Sequence, residues 1–186
     1  MNALTSPILL RGDDVTAYRD PAAVLLNGVC YLYFTYVDNH PGGPWLYLAE
    51  RRTRDFVHWS DLRLLTPKNK ALNYSSPGSI VRDGADWVIC FQTYCRENGE
   101  KYGNANSRLY SMRSRDLERW SEPELLRVKG DSVPFESMGR MIDPFLLRAD
   151  GQWWCFFKQN GVSYATSPDL RHWTFVGHTD AGENSC

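Results

Sequence analysis

Apolar residues in this chain fall in short runs separated by Gly, Pro, Asn and Asp, and no run keeps the three-to-four-residue spacing of an amphipathic helix. The runs predict strands at Ala22–Leu26, Val29–Val37, Trp45–Glu50 and Leu62–Leu65. A second set follows at Ser79–Arg82, Trp87–Tyr94, Arg108–Arg113 and Glu124–Arg127, and a third at Pro144–Arg148, Trp153–Lys158, Gly161–Thr166 and Thr174–Val176. Asn27-Gly28 between two apolar runs predicts a tight hairpin, because both residues tolerate the positive φ of a type I′ turn. Asp83-Gly84 and Asp150-Gly151 take the same place in the second and third sets, and the longest polar loop is 96–106.

The three sets are one unit written three times. In each, an X-Pro pair precedes a Gly by seven residues: Asp20-Pro21 to Gly28, Ser76-Pro77 to Gly84, Asp143-Pro144 to Gly151. Each unit then reaches the same phrase, Asp55-Phe56-Val57-His58-Trp59, Asp116-Leu117-Glu118-Arg119-Trp120 and Asp169-Leu170-Arg171-His172-Trp173. Four strands at a repeat of this length predict an all-β fold, a β-propeller of four-stranded antiparallel blades. A lone four-stranded sheet cannot cover both its faces, so blades bury one another around an axis. The expected blades span about 18–67, 73–128 and 141–177, with the start of a fourth at 181–186. The ring is therefore incomplete in this chain. The Leu or Phe and the Trp of each phrase are expected to pack between blades.

Composition narrows the function classes. The 186 residues carry a net charge of -1 and 13% aromatics, including seven Trp, which favours β structure and gives no global field for nucleic acid or membrane. The local run Arg51, Arg52, Arg54 reads as a solvated turn. Five Cys make an odd count without paired short spacings, and Cys30, Cys90 and Cys155 read as buried thiols in strands. No His pair has ligand spacing, so neither metal nor cofactor is expected. The first residues lack a signal-peptide pattern and no apolar run reaches membrane length, so the expected location is the cytoplasm.

In a propeller the first strand of each blade lines the central channel. The residue before each Pro then lies near its mouth: Asp20, Ser76 and Asp143. Asp before Pro often starts a turn, but two at equivalent repeat positions suggest paired carboxylates in one cavity.

At these residues the chain resembles the five-bladed glycosidases of glycoside hydrolase family 43 and their relatives. The likeness is carried by Tyr18-Arg19-Asp20-Pro21-Ala22, Ser75-Ser76-Pro77-Gly78-Ser79, Ile142-Asp143-Pro144-Phe145 and Ser167-Pro168-Asp169-Leu170. It implies inverting hydrolysis of a plant-type glycan such as an arabinofuranoside or xyloside. Asp20 would be the general base and Asp143 the residue that tunes and orients. Glu183 would be the general acid, its pKa raised by the neighbouring Asp143 carboxylate. Arg19, Ser76, Arg140 and Lys158 would bind the sugar or balance charge, and Trp45, Tyr74 and Phe135 would form an apolar platform. The alternative for each aromatic is ordinary packing. Five blades of this size need on the order of 275 residues. The chain thus reads as a fragment, as a homo-oligomer covering its open blade flanks, or as a non-catalytic glycan-binding or assembly module.

Overall fold

A computed structural model describes residues 8–179, which form thirteen β-strands in three antiparallel sheets. The first sheet runs β1 (Thr16–Leu26), β2 (Val29–Asp38), β3 (Trp45–Thr53), β4 (Arg63–Leu64). In the second, β5 (Tyr74–Ser75) and β6 (Ile80–Asp83) both pair with β7 (Asp86–Thr93), followed by β8 (Leu109–Ser114) and β9 (Glu124–Leu125). The third runs β10 (Ile142–Ala149), β11 (Gln152–Lys158), β12 (Val162–Ser167), β13 (Thr174–His178). A 3-10 turn at Phe135–Met138 is the one helical element among the described residues. None of their helices is long and apolar enough to cross a membrane.

Strands stand where the apolar runs predict them, with one informative difference. β1 starts six residues before Ala22 and β10 two before Pro144, and both pass straight through the X-Pro pairs. Their ladders shift register there, between Arg19 and Ala22 and between Ile142 and Phe145. A bulge leaves one residue unpaired, which accommodates a proline that has no N–H to donate.

The shared Pro-to-Gly spacing also conceals an insertion. Asn27-Gly28 and Asp150-Gly151 are hairpin loops with both residues at positive φ, 50° and 73° in the first, 51° and 78° in the second. In the middle sheet Asp83 pairs with Asp86, so the loop is Gly84-Ala85 and the glycine comes first. The extra residue is Gly78. A Cβ there would lie 1.7 Å from the Pro144 carbonyl oxygen, so only glycine lets the second and third sheets approach at this point.

Two apolar seams join the sheets. Tyr31, Tyr33 and Leu48 of the first meet Ile89, Phe91 and Met112 of the second. Val88, Cys90 and Leu109 of the second meet Leu146, Cys155 and Phe157 of the third. The thiols of Cys30, Cys90, Cys95 and Cys155 are free and buried, and burial pushes each up from its ordinary value.

Each Asp-Leu-X-X-Trp phrase is a turn closed by its own aspartate. Asp116 Oδ1 accepts the N–H groups of Glu118 (2.9 Å) and Arg119 (2.7 Å), while Ser114 Oγ donates to the same carboxylate. Asp55 with Thr53 and Asp169 with Ser167 repeat this arrangement. The following residue is driven into the left-handed region: φ is 60° at Phe56, 63° at Leu117 and 58° at Leu170. Such a backbone costs about 1–3 kcal/mol per residue and persists only where the surroundings hold it. Leu117 is held in the first seam, where its carbonyl accepts the Tyr33 hydroxyl hydrogen bond. Leu170 and Trp173 are held in the second seam, and Arg113 bonds the Leu170 carbonyl. The phrases of the second and third sheets therefore dock on the sheet before them. Phe56 has no such seat and is 39% exposed, contrary to the packing expected of it.

Candidate functional site

The three pre-proline residues share one unusual backbone. Asp20, Ser76 and Asp143 have φ of 52°, 48° and 53°. Proline's ring crowds the residue before it, and a β-carbon disfavours positive φ, so all three positions are strained. The bulge turns each side chain out of the alternating pattern of its strand.

What holds them is a second repeated position that sequence reading missed. Thr35, Gln92 and Lys158 each lie six residues beyond the start of β2, β7 and β11, at Val29, Asp86 and Gln152. Thr35 is 1% exposed and Gln92 3%. Thr35 Oγ1 donates to Asp20 Oδ2 (3.0 Å) within its own sheet and accepts the Ser76 N–H (2.7 Å) from the next. Ser76 Oγ donates to the same Asp20 oxygen at 3.1 Å. Gln92 Oε1 likewise accepts the Asp143 N–H from the following sheet. Lys158 Nζ lies 3.0 Å from Asp143 Oδ2 in its own sheet. Only Lys158 had declared itself in the sequence, by its charge. Thr35 and Gln92 look like ordinary polar residues near the ends of apolar strands.

Asp20, Ser76 and Asp143 line one cleft of about 830 Å³, together with Arg19, Gln92 and Arg140. The sequence expectation that carboxylates from separate units share one cavity thus matches the placement of Asp20 and Asp143. The expected aromatic platform does not line this cleft. Tyr74 is buried edge-on against Phe91 and Tyr110. Trp45 packs beneath the ammonium groups of Lys68 and Lys70. Phe135 lies under the Arg108 guanidinium, which is 4.4 Å from the ring centroid. Glu183 falls outside the described residues. Among those residues, no group of three or more His, Cys, Asp or Glu is arranged to hold a metal ion.

The wall beside the cleft is anchored by Arg108, another residue with no sequence signal. It is 2% exposed and donates to the carbonyls of Phe135 (2.9 Å) and Ala105 (2.6 Å). Burial lowers its pKa, so these carbonyls serve in place of a counter-charge. Arg108 thereby ties the 96–106 loop to the 3-10 turn.

No protein-family model and no curated protein matches this sequence. Solved structures do. A family 117 glycoside hydrolase, Zg3597, from the marine bacterium Zobellia galactanivorans superposes with a TM-score of 0.66 at 15% identity, over 89% of this chain and 57% of that one. A structure from work on the GH130 family of mannoside phosphorylases, containing glycoside hydrolases that target β-1,2 mannosidic linkages in Candida mannan, gives 0.67 at 20% identity, over 90% and 50%. An N-acetylgalactosamine deacetylase from F. plautii gives 0.69 at 14% identity, over 92% and 55%. At these identities the likeness is one of fold: an all-β architecture shared with glycoside-hydrolase-like proteins. This chain spans about half the length of the structures it matches.

Proposed function

We propose that this chain forms three blades of a β-propeller and carries part of a glycoside hydrolase site that works by inversion, related to family 43. The observation that carries the reading is the convergence of Asp20 and Asp143, from two sheets and two equivalent strained bulges, on one cleft. Asp20, with two hydroxyl donors on one oxygen, takes the proton from the attacking water. Asp143, paired with Lys158, orients the sugar and the acid. Glu183 protonates the leaving oxygen. In inverting enzymes acid and base stand about 6.5–9.5 Å apart, which leaves room for the water. Arg19, Ser76 and Arg140 bind the glycan, and no cofactor is required. Arabinofuranosides and xylosides are the first substrates to try. Release of p-nitrophenol from such a panel, by the natural chain and by Asp20→Ala, tests this. Activity surviving Asp20→Ala removes Asp20 as base. The alternative, a non-catalytic glycan-binding module, predicts binding without turnover.

The same reading assigns a partner to the open faces. Among the described residues, each seam joins the trailing face of one sheet to the phrase-bearing face of the next, and one face of each kind is left uncovered by them. Phe145, Leu147 and Val176 are 52%, 45% and 50% exposed on the trailing side of the third sheet. Leu25, Phe56 and Val57 are 72%, 39% and 66% exposed on the leading side of the first. A second copy joined head to tail covers both pairs of faces and closes a ring. Light scattering that reports a monomer at all concentrations rules this out.

A further inference from the structure

The cleft is more positive than hydrolysis of a neutral sugar requires. Alongside Asp20 and Asp143 it is lined by four cationic side chains, Arg19, Arg96, Lys101 and Arg140. Its formal charge is therefore about +2 in a chain whose overall charge is -1. Lys158 already accompanies Asp143, so these four are not needed to balance it. None of the four forms an ion pair with a carboxylate among the described residues.

Three of them stand on one wall. Arg96 is fixed by its Nε, which donates to the Glu100 carbonyl at 2.6 Å, and Arg140 reaches the Tyr102 carbonyl at 3.5 Å. The 96–106 loop thus brings Arg96 and Lys101 to the side of the cleft where the chain leading into β10 brings Arg140. Like charges gathered along one concave wall raise the local concentration of anions and favour an anionic ligand there. Guanidinium groups suit a planar oxyanion in particular, because they offer two parallel donors. Hydroxyls of a neutral sugar need donors and acceptors in similar number, and this wall presents donors in excess.

We infer that the glycan taken by this cleft is acidic: a uronate carboxylate or a sulfate ester on the sugar is held by Arg96, Lys101 and Arg140 while the bond to be cleaved lies over Asp20 and Asp143. This deepens the glycosidase reading and rests on the same cleft, but it concerns binding and is tested apart from turnover.

The experiment is affinity electrophoresis of the whole chain through gels carrying polygalacturonate, a sulfated galactan, or their neutral counterparts, methyl-esterified pectin and desulfated galactan. The expected result is retardation by at least one acidic polymer and on the order of ten-fold weaker retardation by its neutral counterpart. Retardation should weaken as salt rises. Lys101→Gln/Arg140→Gln, both at exposed positions, should lose the acidic preference while keeping the natural thermal midpoint, and Lys101→Glu/Arg140→Glu should abolish retardation. Arg115→Gln, remote from the cleft, serves as the control. Equal binding of acidic and neutral polymers, binding to neutral polymers alone, no retardation by any of them, or acidic binding unchanged in the double variants would overturn the inference. So would competition by inorganic phosphate at concentrations where sulfate has no effect, since that marks a site for free phosphate. Turnover by the natural chain separates the two readings. Acidic retardation of a natural chain that cleaves no glycoside leaves this inference standing and removes the hydrolase, whereas cleavage restricted to neutral glycosides does the reverse.

Discussion

The pre-proline cleft and the aspartate turns, here called hub and rim, are both built from a position repeated three times, and they treat that repetition in opposite ways. At the rim the residues stay constant: a hydroxyl, then an aspartate two residues later, then a bulky residue at positive φ, in Thr53/Asp55/Phe56, Ser114/Asp116/Leu117 and Ser167/Asp169/Leu170. At the hub the backbone stays constant and the side chains diverge, as Asp20, Ser76, Asp143 and as Thr35, Gln92, Lys158. Constancy at the rim reflects one mechanical task, closing a turn and pressing a hydrophobic residue into the preceding sheet. Divergence at the hub means that three equivalent strained bulges carry different groups into a shared cleft. Repetition marks the scaffold here, and its breakdown marks the chemistry.

The largest effect that can break this comparison is on turnover. Asp20→Asn keeps size and two polar atoms but cannot take a proton. Activity should fall by about 10²–10⁴-fold, with the thermal midpoint nearly unchanged. A variant that loses stability instead would make Asp20 a rim-type residue. Leu117→Ala should do the opposite. Leu117 is fully buried in the first seam, and truncation should cost about 2–5 kcal/mol in denaturant unfolding while activity per folded molecule holds.

Acid titration sharpens the rim side. Asp55, Asp116 and Asp169 have pKa values far below the ordinary carboxylate range. For Asp55 the first cause is the His58 side chain; for the other two it is backbone N–H groups that bond to the ionised form. A depressed carboxylate contributes stability that is fully present above its unfolded value, about 3.9, and is lost as pH falls toward the folded one. His172 is raised, first by its hydrogen bond to Asp169. Its contribution is complete below about 6.5 and disappears as pH rises through its folded value. Chemical denaturation across pH should therefore show a plateau between about 4 and 6.5, steeper on the acid side. Asp116→Asn should flatten the acid limb.

The smallest expected effect is Phe56→Ala. Its phrase matches those of Leu117 and Leu170, but no sheet among the described residues receives it. Unfolding of the monomer should change by no more than about 0.5 kcal/mol. The same substitution should weaken self-association measured by light scattering. A cost as large as that of Leu117→Ala in a monomeric sample would show that something else in the chain fills the seat.

Much of the scaffold was legible in advance, because period-two apolar runs, turn glycines and the aspartate phrases act over a few residues. Cys30, Cys90 and Cys155 are buried as their strand positions imply. Misreadings came where one-dimensional spacing stood in for register. The common Pro-to-Gly interval hides the insertion of Gly78, and spacing alone suggests a sugar platform of Tyr74, Trp45 and Phe135, whose neighbours are aromatic rings and cations outside the cleft.

From its sequence alone this protein determined three antiparallel units, their turns and the positions of two repeated aspartates, since backbone hydrogen bonding and alternating burial are local. Only the tertiary structure decided that Thr35 and Gln92 brace the next sheet's bulge, that Arg108 holds the wall, and that four cations stand beside Asp20 and Asp143. Those relations join residues tens of positions apart, and they arise from how one sheet leans on another, which no local pattern encodes.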